Sequence, residues 1–207
     1  MTKRLRMVLP AVAVLASTAS PAFAHHAMGG QLPTTFSEGL LSGLAHPILG
    51  PDHLAFVIAI GIAAALVPAG VGLIGAFFAA SAAGILLHFG AWNLPLVEVL
   101  VAATVILAGA LVAFGTRTGN GAWLALAAVA GLVHGYALGE AIVGADRGVL
   151  GAYLLGLAIT ASCIAAAVMA LTRTYLATGV AMDTRLRAAG AVVGCVGLAM
   201  LAINLTT

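Results

Sequence analysis

Residues 43–54 read GLAHPILGPDHL, a stretch in which two histidines, one aspartate and two prolines interrupt a strongly apolar chain. The 207 residues are 63% hydrophobic and only 7% charged, against roughly 25% charged residues in an ordinary soluble domain. So few charges cannot cover the surface of a soluble protein of this size. With only two cysteines, a disulfide-stapled secreted scaffold is excluded as well. The composition therefore predicts an all-α integral membrane protein.

The N-terminal segment has the three parts of a cleaved secretory signal peptide. Three basic residues lie within the first six, an apolar run begins at Met7, and Ala22-Phe23-Ala24 supplies a cleavage site with small residues. We expect residues 1–24 to be removed and residues 25–207 to form the membrane domain; an uncleaved first helix is the alternative. Cleavage leaves five basic against six acidic residues, so no basic patch for nucleic acid remains.

Six stretches of the mature chain are long enough to cross the hydrocarbon core, which takes about 20 helical residues. These spans lie near 38–66, 70–90, 95–114, 121–140, 148–172 and 187–206. A cleaved signal peptide places the mature N-terminus in the periplasm, and the predicted cytoplasmic loops then hold four arginines against one outside. This agrees with the positive-inside rule and predicts a six-helix bundle in the bacterial inner membrane.

Ionisable side chains inside a membrane span are costly, so each one is a candidate functional group. The predicted spans carry seven of them: His46, Asp52, His53, His88, Glu98, His134 and Glu140. They lie on the first four spans, and none lies in the cytoplasmic half. We therefore expect them to converge around one pocket that is open to the periplasm.

Pro47 and Pro51 predict that the first span is a broken helix. On a straight helix His46 and His53 would lie about 10 Å apart along the axis, too far apart to bind one small ion. A break at the prolines shortens this distance and exposes backbone carbonyls, as at the ion sites of transporters. The alternative is an ordinary proline kink in which Asp52 and His53 pair with each other.

The fourth span repeats part of this pattern. The sequence GLAH at residues 43–46 matches GLVH at residues 131–134, and an acid follows six residues after each histidine, Asp52 in one span and Glu140 in the other. Because the two spans cross in opposite directions, the match suggests an inverted repeat of three plus three helices. Short matches also arise by chance in a chain rich in glycine and leucine.

Two further pairs of residues are candidates for metal binding. His88 and Glu98 flank a short outer turn that could bring them together, although a histidine at a helix end is often an interfacial residue. His25 and His26 begin the mature chain beside its free α-amine. They form either a weak capture arm for metal ions or simply a flexible terminus.

The donor set indicates which ions the cluster would bind. Imidazole nitrogen with some carboxylate oxygen, and no thiolate, suits nickel, cobalt, zinc or copper(II) rather than calcium or magnesium. Ligand histidines must be neutral, so binding is expected to weaken as the pH falls below about 6.5. The chain has no nucleotide-binding loop and no hydrolase motif. We therefore predict neither enzymatic activity nor a prosthetic group.

The motif His46-Pro47-x-x-Gly50-x-Asp52-His53-Leu54 resembles the first-helix motif of the HupE/UreJ proteins, which are small six-helix nickel/cobalt permeases with a cleaved signal peptide. Residues 96–98 (LVE) and 131–135 (GLVHG) resemble further landmarks of that family. The resemblance covers the whole mature chain. It implies import of Ni²⁺ or Co²⁺ to supply metalloenzymes such as hydrogenase or urease. Departures at Phe56-Val57 and at Phe89 leave the choice of metal open.

The leading hypothesis is thus a divalent-metal permease whose partners are the lipid bilayer and the transported ion. In it His25 and His26 capture the ion, the main site is His46, Asp52, His53 and His134, and Glu98 and Glu140 orient imidazoles or offset charge. One alternative is a haem b protein for electron transfer with paired histidine ligands. Another is a non-transporting membrane accessory subunit. A homo-oligomer is compatible with the sequence, and contact with metalloenzyme maturation would be indirect.

Overall fold

The computed structural model describes residues 31–114, 119–179 and 184–206, and within these ranges the chain forms helices and no β-strand. The seven α-helices are α1 (Phe36–Leu49), α2 (Pro51–Leu66), α3 (Gly70–Phe89), α4 (Val97–Phe114), α5 (Asn120–Gly139), α6 (Arg147–Leu176) and α7 (Thr184–Thr206). A single 3₁₀ turn, Glu140–Ile142, follows α5. The predicted signal peptide and the two histidines at the start of the mature chain lie outside the described residues.

The helices have the length and composition of membrane spans. Among the described residues, α3 to α7 are each long and apolar enough to cross a membrane, and α1 with α2 passes the same test as a bent pair. The protein is therefore a multi-pass helical membrane protein. The predicted spans agree with the observed helices to within a few residues. The largest difference is at α6, which continues to Leu176, where Arg173 donates a hydrogen bond of 3.3 Å to the carbonyl of Ala64.

The chain bends sharply between α1 and α2, which meet at an angle of 76°. Gly50 is extended (φ −83°, ψ 107°) because Pro51 disfavours a helical conformation in the residue before it. Pro51 then occupies the first position of α2, where its missing N–H costs nothing. Pro47 lies inside α1 without ending it. The bend therefore comes from one proline rather than from both.

The centre of the bundle is α2, which packs against α3, α4, α6 and α7. Most of residues 55–64 are buried, as expected of a helix that is apolar on every side. Around it the other helices form three close pairs, α1 with α6, α3 with α5, and α4 with α7. If α1 with α2, α3 and α4 form one half and α5, α6 and α7 the other, exchanging corresponding helices of the two halves gives the same three pairs. The halves differ in one respect, because α5 is continuous whereas α1 and α2 are separated by a bend. The inverted repeat stays a prediction.

Glycines allow the closest of these pairs to form. A Cβ on Gly131 or Gly135 of α5 would strike the backbone of α3 at Phe77 or Ser81. Small residues at a spacing of four permit such contact between helices in lipid. The α3–α5 contact holds His134, which lies between these two glycines, at a fixed rotation toward the interior.

Candidate functional site

Three imidazoles and one carboxylate, carried by α1, α2 and α5, are buried close together. His134 is 0% exposed, His46 and Asp52 are each 1% exposed, and His53 is 2% exposed. The ring of His53 lies in the middle of the series, with its centroid 6.0 Å from that of His46 and 5.0 Å from that of His134. The structure thus brings together four of the predicted residues. We refer to these four residues as the imidazole cluster.

The bend positions the α2 side of the imidazole cluster. Asp52 and His53 fall in the first turn of α2, where a carboxylate is favoured by the helix dipole. One carboxylate oxygen of Asp52 accepts hydrogen bonds of 2.8 Å from both the backbone N–H and the ring Nδ1 of His53. Gly50 makes room for this pair, because a Cβ there would lie 2.9 Å from the ring nitrogen of His53. Asp52 therefore fixes the orientation of the His53 ring.

Two hydroxyl groups contact the outer members of the series. The hydroxyl of Tyr153, a buried residue of α6, lies 3.0 Å from Nδ1 of His46 and donates a hydrogen bond of 2.8 Å to the carbonyl of Leu138. The hydroxyl of Thr104, on α4, lies 2.9 Å from Nε2 of His134 and donates a hydrogen bond of 2.7 Å to the carbonyl of Val101. Sequence reasoning gave neither residue a role at the site, because neither is ionised near neutral pH.

Aromatic side chains border the imidazole cluster one turn further along α2. The ring of Phe56 lies 4.5 Å from that of His134 and stacks on Phe77 at 5.2 Å. A cavity of about 10 Å³, lined in part by His53, His134 and Ser81, remains beside them. That volume is about enough for one water molecule. The interior next to the imidazoles therefore holds a small species at most.

The other predicted residues are placed differently. The partly buried His88 donates a hydrogen bond of 2.7 Å to the carbonyl of Tyr136 and stacks on its ring at 4.2 Å. Glu98 is partly buried at the start of α4 and interacts electrostatically with His53. Glu140 is exposed in the 3₁₀ turn after α5, so the structure does not bring it to the imidazole cluster.

The donors are not arranged as a finished coordination shell. In the part of the chain that the structure describes, no group of three or more His, Cys, Asp or Glu residues is placed to hold a metal ion. Cys163 and Cys195 are exposed free thiols. Binding of an ion to more than two of these residues would therefore require the side chains to shift. The nitrogen Nδ1 of His134 and the second oxygen of Asp52 are buried without a hydrogen-bond partner among the described residues.

A polytopic helical bundle with imidazoles and a carboxylate buried in its core defines a membrane protein with a polar site inside its apolar interior. The chain belongs to the HupE/UreJ family, since the family model described as HupE / UreJ protein matches residues 12–200. This confirms the resemblance to the HupE/UreJ proteins that the motif at residues 46–54 indicated. Members of this family are linked to nickel and cobalt transport, as transport or accessory proteins rather than enzymes.

A curated relative supports the assignment. The chain is 33% identical over 127 residues to Protein HupE of Rhizobium leguminosarum bv. viciae, a stretch that covers 60% of this chain and 64% of the relative. The match therefore spans slightly less than two thirds of that protein. No solved structure matches the chain.

Proposed function

We propose that this protein is a permease that imports Ni²⁺ or Co²⁺ from the periplasm across the inner membrane. The observation that carries the proposal is the buried series of three imidazoles, with Asp52 bonded to the central ring of His53. Borderline divalent metals prefer imidazole nitrogen, and metal-binding histidines usually give their second N–H to an acceptor. In this protein His53 has Asp52 as that acceptor, which supports a role in metal binding.

Charge compensation supports a divalent cargo. A divalent ion among neutral imidazoles alone would leave two positive charges uncompensated in an apolar interior, which is very costly. Asp52 supplies one negative charge beside His53, and Glu98 supplies a second within electrostatic range of the same ring. Two carboxylates and neutral imidazoles would make the loaded site neutral overall. The exposed Glu140 would not contribute to this balance.

The proposed topology places the entrance on the periplasmic side. In it α1 and α2 together form the first of six spans, after removal of residues 1–24, and His25 and His26 capture the ion outside. The ends of α3 and α5 and the start of α4 then face the periplasm. His88 and Glu98, near those ends, would lie between the outer surface and the imidazole cluster.

The dimensions of the site disfavour the haem hypothesis. Paired axial histidines must accommodate a porphyrin plane between their rings, whereas His53 lies only 5.0 and 6.0 Å from its neighbours. The cavity beside them, of about 10 Å³, leaves no room for such a group. A non-transporting accessory subunit is the remaining alternative, and it predicts no uptake by this protein alone.

Uptake of radiolabelled nickel and cobalt tests the proposal. Cells that lack other nickel importers would express the wild-type protein, Asp52→Ala, His53→Ala or the control Asp146→Ala, which removes an exposed acid at the start of α6. We expect the two site variants to lose at least about tenfold in uptake, as for changes at metal ligands and their partners. The control should match the wild type. Equal uptake by all four proteins, at equal membrane levels, would contradict the proposal.

A further inference from the structure

Two hydroxyl groups contact the imidazole cluster, and their protons can be assigned by elimination. Tyr153 has one hydroxyl proton, and its oxygen contacts both a backbone carbonyl and an imidazole nitrogen. A carbonyl oxygen can only accept a hydrogen bond, so the tyrosine proton goes to Leu138. The remaining bond then requires a proton on Nδ1 of His46, which donates to the tyrosine oxygen. Neutral His46 thus carries its lone pair on Nε2.

The same reasoning applies at the other end of the series. The proton of the Thr104 hydroxyl goes to the carbonyl of Val101, so its oxygen accepts from Nε2–H of His134. Neutral His134 therefore carries its lone pair on Nδ1. This is the buried nitrogen that has no hydrogen-bond partner in the described part of the chain. The two outer histidines thus present opposite ring nitrogens.

We propose that Tyr153 and Thr104 are positioning residues that set the tautomers of His46 and His134, and so select Nε2 of His46 and Nδ1 of His134 as the donors to the ion. The identity of the ion rests on the proposed function, whereas the tautomers do not. With Asp52 on His53, every ring of the series then has an acceptor on one nitrogen. The three acceptors come from α6, α2 and α4, so the donor set is defined jointly by helices that are far apart in sequence.

Tyr153 is fully buried and Thr104 is partly buried beside the fully buried His134. In such apolar surroundings a polar group without a partner is costly and hydrogen bonds are strong. Phenylalanine at residue 153 or valine at residue 104 would keep the packing volume and remove the hydroxyl, both as acceptor for the imidazole and as donor to the carbonyl of Leu138 or Val101. Either imidazole would then lose the preference for one tautomer. A fraction of the molecules would present an N–H where the ion needs a lone pair. This predicts weaker binding without loss of the fold.

The tautomers can be observed directly in the metal-free protein. Nitrogen NMR of protein labelled with ¹⁵N-histidine distinguishes a protonated from an unprotonated ring nitrogen, and His46→Gln and His134→Gln assign the two signals. We expect Nδ1–H at His46 and Nε2–H at His134 in the wild type. Tyr153→Phe should change the pattern of His46 alone, and Thr104→Val that of His134 alone. The opposite tautomers in the wild type would overturn the inference.

Metal affinity provides the second measurement. In calorimetry with NiCl₂ on the detergent-purified protein, Tyr153→Phe and Thr104→Val should each bind about 10- to 100-fold more weakly. Thr104→Ser keeps the hydroxyl and should restore most of the affinity. Tyr175→Phe and Thr174→Val are the controls, since they make the same two chemical changes near the end of α6, where the Thr174 hydroxyl donates to the carbonyl of Ala170 in its own helix.

The outcomes separate this inference from the proposed function. Wild-type affinity in both hydroxyl variants would overturn the positioning role even if nickel is imported. A wild-type protein that binds neither nickel nor cobalt would overturn the proposed function. In that case the nitrogen spectra would still decide the tautomers.

Discussion

Phe56 illustrates how single residues hold the imidazole cluster in place. Its side chain is fully buried, and it lies against both His134 and Phe77. A ring at this position fills the space that would otherwise admit water next to the imidazole. At the scale of the residue, the site is therefore defined as much by apolar packing as by its polar atoms.

The change Phe56→Ala tests that packing. Removing a buried ring leaves a cavity and typically lowers the free energy of unfolding by about 3–5 kcal/mol in soluble proteins. We expect a clear fall in the thermal unfolding midpoint in detergent, with Phe56→Leu intermediate. The control is Phe114→Ala, because Phe114 is 75% exposed on the surface of the bundle. Equal midpoints for the two alanine variants would show that Phe56 does not support the core.

The bend between α1 and α2 is the element that brings Asp52 and His53 close to His46. It combines two local properties, the restriction that Pro51 imposes on the preceding residue and the absence of a side chain at Gly50. On a straight helix His46 and His53 would be about 10 Å apart along the axis. In the structure their ring centroids are 6.0 Å apart.

Gly50→Ala tests the element without removing a polar group. The added Cβ would lie 2.9 Å from Nδ1 of His53 and 3.3 Å from a carboxylate oxygen of Asp52, so the pair must move. We expect a fall of tenfold or more in nickel affinity, measured by calorimetry. Gly72→Ala is the control, since nothing lies within 4 Å of a Cβ there. It should bind as the wild type does and be slightly more stable. Unchanged affinity in Gly50→Ala would show that the tight contact at the bend is not needed.

At the scale of the whole molecule, helix pairs arranged around α2 enclose the imidazole cluster. In the proposed function, the orientation of the bundle would decide from which side the ion enters. The ends of α3, α5 and the start of α6 lie toward one face, and the end of α6 toward the other. The arginine distribution predicts that the first face lies toward the periplasm. This orientation is part of the proposed function.

Cysteine labelling tests the orientation. In a background in which Cys163 and Cys195 are replaced by alanine, Asn93→Cys places a thiol in the turn after α3 and Thr178→Cys in the turn after α6; both positions are exposed. A membrane-impermeant maleimide should label Asn93→Cys in intact spheroplasts. Thr178→Cys should react only after the membrane is opened. The reverse pattern would contradict import from the periplasm through this site.

The sequence by itself determined the membrane class, the helix bounds to within a few residues and the family. It predicted a break of the first span at Pro47 and Pro51; the chain bends at Pro51, and that α1 and α2 form one broken span stays a prediction. These depend on hydropathy and on the backbone chemistry of neighbouring residues, which are local properties. Asp52 and His53 could also be identified as a pair, because they are adjacent in the chain.

Only the tertiary structure decided which other residues meet them. It placed His134 beside His53, put the hydroxyls of Tyr153 and Thr104 on the outer imidazoles, and left Glu140 exposed. The physical reason is that helices apolar on every side have no pattern that fixes their rotation about their own axes. That rotation follows from close packing between helices, such as the contact of α5 with α3 through its glycines.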